Sequence, residues 1–406
     1  MAPNIPRPVA ERTGIPVLVL VCLLTFVHYA SAQMRTLVLP LYASAHGATP
    51  TWVGLIMGLH MAMAAIGSIP LGRASDVWGR RPLLLGGMAV GVVTSLLLPL
   101  VQDGFPLAMV FGFAGLGVAA FTPSALSLVG DAAAPAAAGR AYAWYSTAHY
   151  GAIAIGPFLG GLAAQRWGYR AAFVASALGI AIALVAGLAL PTGFAPHVAS
   201  RPSVTFAEVR KNASVWAGWI AAAGGMFIQG VVFTFLPLLA HERGLSAAAI
   251  GFAFLVLGLA NTVVRFPAGW LMDRTGRHST YAVGGLLVAS VATGLLHPVG
   301  GRTGMVALVA AFGAVSGAAF VAISVALAGS TTPATRGLVM GGYSTAMYLG
   351  LALGSFALGP VITGYGYTVG FTAGAGAGVI GALVAAALWA TGSSHAARRC
   401  EEEASS

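Results

Sequence analysis

At 406 residues, with 58% hydrophobic and only 7% charged side chains, this chain carries less than a third of the roughly 25% charge that keeps an ordinary soluble domain in water. Composition therefore excludes a soluble globular protein and leaves a polytopic membrane protein. The net charge of +10 does not point to nucleic acid, because there is a single lysine, Lys211, and the arginines fall singly or in pairs between apolar runs, as loop charge bias arranges them in membrane proteins.

In chain order, residues 1–14 (MAPNIPRPVAERTG) read as a polar, Pro-rich tail. No small-residue cleavage site follows the first apolar run, which reads as a retained helix and not a signal peptide. Continuous apolar blocks of about twenty residues then recur, long enough to cross the hydrocarbon as helices and unlike the short alternating strands of a barrel. They predict twelve helices, at 15–43, 50–72, 82–101, 105–130, 140–163, 171–191, 212–240, 247–269, 280–298, 303–329, 337–363 and 368–391. The longest polar interruption, 192–211, predicts a linker between six-helix units at 15–191 and 212–391, and 392–406 (ending RRCEEEASS) reads as an unstructured tail. With the N-terminus inside, fourteen Arg and Lys fall on the inner side against four outside, which predicts an inner-membrane protein with both termini and the linker cytoplasmic. Cys22 and Cys400 offer neither a disulfide framework nor metal-ligand spacing.

The two units repeat each other. Pro40, Gly54, Pro70, Gly72, Asp76 and Gly79 reappear as Pro237, Gly251, Pro267, Gly269, Asp273 and Gly276, each 197 positions on. Tyr145-Ser146-Thr147-Ala148 recurs as Tyr343-Ser344-Thr345-Ala346, 198 positions on, and Gly156, Gly161, Gly168, Tyr169 and Phe173 meet Gly354, Gly359, Gly366, Tyr367 and Phe371 at that shift. Parallel repeats of this kind belong to transporters that rock one half against the other about a site near the midplane.

A charged cluster, GRASDVWGRRPLLL (72–85), is placed by this reading between helices 2 and 3, and GWLMDRTGRH (269–278) between helices 8 and 9. Gly72, Asp76, Gly79, Arg80 and Arg81, with Gly269, Asp273, Arg274, Gly276 and Arg277, resemble the loop signature of the major facilitator superfamily over about residues 15–391. The resemblance implies an all-α membrane fold of two pseudo-symmetric six-helix bundles, and a conformational clasp in this loop, with Asp131 and Arg140 as a partner cluster. GPFLGG (156–161), with Gly156, Pro157, Gly160 and Gly161, is similar to a helix-5 motif of the drug:proton antiporter branch, where it implies a helix-packing seal that favours efflux. The helix-4 arginine of that branch is replaced here by Phe111, which departs from its proton-relay pattern.

All ten acidic residues lie near span ends, in loops or in tails, so no carboxylate is expected deep in the membrane. That argues against a strict organic-cation pump. Ionisable residues within spans are default site candidates. Arg35 leads as a guanidinium able to grip a carboxylate or phosphate. His28, seven residues earlier and on the same helical face, joins it with His60 and His149, and with the weaker polar candidates Gln33, Gln229, Asn261, Thr122 and Thr234. Arg265 is assigned to the gate, next to the second loop motif. Met57, Met61 and Met63 around His60 suit soft copper, but they also suit packing. The expectation is a monomeric, proton-coupled efflux transporter for a small amphipathic or anionic organic molecule, in contact with lipid, with no cofactor, no metal and no nucleic acid. An importer of a metabolite anion is the alternative. A membrane enzyme is disfavoured by the lack of paired acids or a nucleophile motif, and a transport-dead receptor by the two gate motifs.

Overall fold

The computed structural model describes residues 10–134, 137–191, 209–210, 212–332 and 335–405. Most of the predicted linker, Lys211 and the first nine residues lie outside these. Among the described residues there is no strand, in keeping with a backbone that must satisfy its own polar groups in lipid. The helices are α1 (Ala10–Ala45), α2 (Pro50–Trp78), α3 (Arg80–Leu97), α4 (Gly104–Ala132), α5 (Ala138–Trp167), α6 (Tyr169–Gly187), α7 (Ala213–Glu242), α8 (Ala247–Thr275), α9 (His278–Leu295) and α10 (Arg302–Gly329). A last helical run, Arg336–Ser405, breaks at Gly366 (φ 81°, ψ 171°) into α11 (336–365) and α12 (367–405). Among the described residues, nine helical stretches, one of them holding both α11 and α12, are long and apolar enough to span a membrane. The helices α5 and α9 fall short of that measure.

The repeat is visible in the turns. Among the described residues seven glycines have positive φ, a conformation that costs glycine little. Six of them form three pairs: Gly47 with Gly244 and Gly79 with Gly276 at a shift of 197, and Gly168 with Gly366 at 198. Each pair turns the chain between the same two helices of its half.

Four boundaries differ from expectation. The helix α1 begins at Ala10, inside the stretch expected as a tail. The helices α2 and α8 run on to Trp78 and Thr275, so Gly72, Asp76, Gly269 and Asp273 belong to closing helical turns. The reversal itself is confined to Gly79 and to Gly276 with Arg277. Polar residues at a span end did not stop the helix, because water can solvate them there while the backbone bonds continue. The chain beyond 391, expected to be unstructured, continues as helix through Ser405.

The apolar core shows how the halves meet. One cluster spans both halves, joining Leu37, Leu41, Val53 and Phe111 to Val231, Phe235, Phe254, Phe312 and Phe371. Toward the other end it divides into two private cores, one built on Leu24, Met88, Phe121 and Ile180, the other on Ala222, Leu286, Phe320 and Ile323. The end carrying the α2–α3 and α8–α9 turns is called the motif end here, and the opposite one the far end. The halves are welded at the far end and part toward the motif end.

Candidate functional site

The far-end weld depends on helices that touch backbone to backbone. Gly161 of α5 lies against the Ala247 carbonyl of α8, and Gly251 of α8 against the Pro157 carbonyl of α5. Gly258 rests on Ala154, so a side chain at any of these positions would push the halves apart. Within the first half, Gly156 and Gly160 meet the α1 backbone at Ala30 and Met34 in the same way. The GPFLGG segment thus packs α5 onto α1 on one face and onto α8 on the other. Beside it, the Thr51 and Thr363 hydroxyls join α2 to α11 at 2.8 Å.

Above this weld lies a cavity of about 470 Å³ between the halves. Its wall takes Tyr29, Gln33, Arg35, His60, His149 and Tyr150 from the first half, and Gln229, Thr234, Asn261, Arg265, Tyr343 and Tyr348 from the second. Among the described residues no Asp or Glu lines it. Counted along the helices at 1.5 Å per residue, Arg35 sits about 15 Å from the far end of α1, and Arg265 about 27 Å along α8 from the same end. The two guanidiniums therefore occupy different depths, on opposite halves.

Arg35 crosses from α1 to α3. Its Nη1 donates to Gly91 O (3.0 Å), Thr94 Oγ1 (3.1 Å) and Ser95 Oγ (2.7 Å). The side chain is 1% exposed and its Nε has no hydrogen-bond partner. Both hydroxyls also donate to carbonyls of their own helix, so they are held in place to accept from it. The guanidinium carbon lies 5.9 Å from the Phe111 ring centroid. Phe111 also stacks on His60 (4.1 Å), and its carbonyl is 2.9 Å from His60 Nδ1, so one imidazole nitrogen is committed to backbone.

Arg265 is fixed differently. Its Nε and Nη2 both donate to Asn261 Oδ1 (3.2 and 3.0 Å), one helical turn back. Asn261 is in turn anchored by donating from Nδ2 to Gly313 O at 3.1 Å. The guanidinium carbon then lies 4.0 Å over the ring of Tyr150, on the other half, a cation–π contact bridging α8 and α5. Thr234 and Ser355 join α7 to α11 at 2.8 Å deeper in. Among the buried side-chain atoms of the wall, Arg35 Nε, His149 Nδ1 and Gln229 Oε1 have no partner.

The sequence candidates divide accordingly. Arg35, Gln33, His60, His149, Gln229, Asn261 and Thr234 come together in the cavity wall. His28 does not. The α1 face it shares with Arg35 turns toward α3 and α4, and His28 is buried there against Phe121 (4.1 Å), with both ring nitrogens unpartnered. Thr122 is likewise outside the lining and hydrogen-bonds the Tyr29 hydroxyl. Arg265, assigned from sequence to the gate, is a cavity residue. Its signal was Asn261, one turn earlier on the same face. The four tyrosines had no individual signal beyond the repeated Tyr-Ser-Thr-Ala.

At the motif end, Arg80 pairs with Asp76 and, at 3.3 Å, with Asp131. Asp131 thus partners the loop through Arg80, while Arg140, expected beside it, makes no ion pair among the described residues. Arg81 donates to Leu188 O (2.7 Å). In the second copy Arg274 lies over Trp270 at 4.5 Å, and Asp273 makes no ion pair among the described residues.

Comparison with known proteins agrees with this architecture. The Major Facilitator Superfamily model matches residues 21–312 and 239–405. A probable transporter of Streptomyces coelicolor is 32% identical over 390 residues, covering 89% of this chain and 84% of that protein. An uncharacterized MFS-type transporter of Methanocaldococcus jannaschii is 24% identical over 336 residues, 79% of this chain and 85% of its own. Among solved structures, a bacterial homolog of the human lysosomal transporter Spinster, in an inward-facing and occupied conformation, superposes with a TM-score of 0.76 at 18% identity, over 93% of this chain and 96% of that one. The nucleoside transporter NupG does so with a TM-score of 0.74 at 16% identity, over 92% and 99%.

Proposed function

The chain belongs to the major facilitator superfamily, and from that premise we propose that it carries a small anionic or amphipathic organic molecule across the inner membrane by alternating access, as a monomer drawing on the proton gradient. Arg35 carries the substrate class. A buried guanidinium without a carboxylate partner is costly to hold, yet Arg35 is buried and no acid lines the cavity. An anion between the halves would supply the missing charge, and guanidinium geometry suits carboxylate or phosphate. The tyrosines and Phe233, Phe254 and Phe320 along the wall suit an aromatic or apolar body.

The arginine count supports a cytoplasmic motif end, so this state is the one open to the cytoplasm. In it the Asp76–Arg80–Asp131 cluster acts as a clasp whose partners change as that end closes. Two directions are consistent with the site. The GPFLGG weld supports export by proton antiport, as in the drug:proton antiporter branch. The acid-free cavity and Phe111 support uptake of a metabolite anion with protons.

Reconstituted protein in liposomes loaded with a pH dye, challenged with organic anions, cations and neutral compounds, tests the class. Anions move protons, and Arg35→Ala and Arg265→Ala each abolish the response. Proton movement driven by cations and untouched by both substitutions rejects the anion reading.

A further inference from the structure

Proton coupling needs a group that can change charge near neutrality, and with no carboxylate in the cavity the histidines are the side chains suited to it. The geometry separates them. His60 donates from Nδ1 to the Phe111 carbonyl and stacks on that ring beside Arg35, so its remaining nitrogen would take a proton next to a fixed guanidinium. His28 is packed behind Phe121, outside the cavity lining. His149 lines the cavity, its Nδ1 is buried and unpartnered, and it has Tyr150 at 5.2 Å, the ring that carries Arg265 on its face.

We propose that His149 is the proton site and that it takes its proton together with the anionic substrate, which sits between His149 and Arg265. The inference rests on the anion reading above and chooses between its two directions.

The charges around His149 are few. On its own helix it meets Tyr145 (6.1 Å) and Tyr150. From α1 it meets Tyr29 edge-on (4.2 Å), with His28 and Arg35 farther along the same helix. From α8 the charged cavity residue is Arg265, and α11 contributes Tyr343 and Tyr348. The titratable residues of α4 and α6, which also pack on α5, are confined to their ends: Asp131 in α4, Tyr169 and Arg170 in α6. Nothing negative faces the imidazole. A proton added to the empty cavity would place a second positive charge near Arg265 without compensation. An arriving anion cancels that repulsion and accepts from both groups. Proton and anion therefore favour each other's binding and cross together, whereas antiport requires them to compete. For a cationic substrate that competition would run through a carboxylate which the substrate and a proton can both claim, and among the described residues the wall has none.

Proton-linked calorimetry on the purified full-length protein tests this, with benzoate as the probe and buffers of different ionisation enthalpy. Wild type takes up about one proton per benzoate near pH 7, and over the linked range its affinity falls about tenfold for each pH unit raised. His149→Gln still binds benzoate but takes up no proton, and its affinity no longer varies with pH. Proton uptake that persists in His149→Gln, or that disappears in His60→Gln or His28→Gln instead, overturns the assignment. Benzoate binding to wild type without proton uptake overturns the coupling and leaves the anion reading standing. Failure of wild type to bind benzoate or a panel of aromatic carboxylates and phosphates rejects the anion reading, and this inference with it.

Discussion

The two copies of the loop motif share a backbone and differ in what they hold. At Gly79 and Gly276 the chain turns at positive φ, 197 positions apart, and Asp76 and Asp273 occupy the same helical turn. In the first copy Arg80 gathers Asp76 and Asp131, Ser75 meets Ser124 at 3.0 Å, and Gly72 packs on Pro123 of α4. In the second copy Met272 is buried where Ser75 stood, Gly269 faces open space, and Asp273 is exposed. The reason lies outside the motif: Asp131 of α4 has Gly329 as its counterpart in α10, 198 positions on, the shift at which Gly115 on His60 O corresponds to Gly313 on Leu257 O. Duplication preserved the turn, but the third charge needed for a closed cluster is present in one half only.

That contrast can be broken from either side. The largest effect is expected from Asp76→Asn, which lowers substrate flux in proteoliposomes about tenfold, within the span of allosteric coupling energies. Asp273→Asn changes flux less than about twofold by the same standard, and equal losses in both variants would remove the asymmetry. Asp131→Asn acts on stability more than on flux. It lowers the free energy of thermal unfolding in detergent by about 0.2–1 kcal/mol, as for a partly exposed pair, and the difference shrinks in 1 M salt, where screening reaches about 3 Å. Smallest is the gain from Gly329→Asp, which offers Arg277 the missing acid and raises the melting temperature by up to about 2 °C. A larger rise, or transport slowed by the added acid, would mean that the second copy also takes part in a clasp.

The fold could be read from the sequence because its determinants are local and repeated. Span length, arginine placement and the paired glycines each report on one helix or one turn, and each appears twice. The cavity was only partly readable, because which face of a helix looks inward depends on neighbours many residues away. The spacing of His28 and Arg35 was seen, but the direction of that face depended on Thr94 and Ser95 of α3, which hold Arg35. Proximity to the motif drew Arg265 to the gate, although Asn261 one turn earlier and Tyr150 on the other half hold it in the cavity.

The single core at the far end also has a consequence for assembly. Val231 and Phe235 of the second half are buried in one cluster with Leu37 and Phe111 of the first, so each half made alone would leave that surface bare to lipid at one end. Two fragments, cut within 192–208 and produced in the same cell, would find each other through this surface without a covalent tether. The connecting segment would then matter for how often the halves meet, and much less for how they fit.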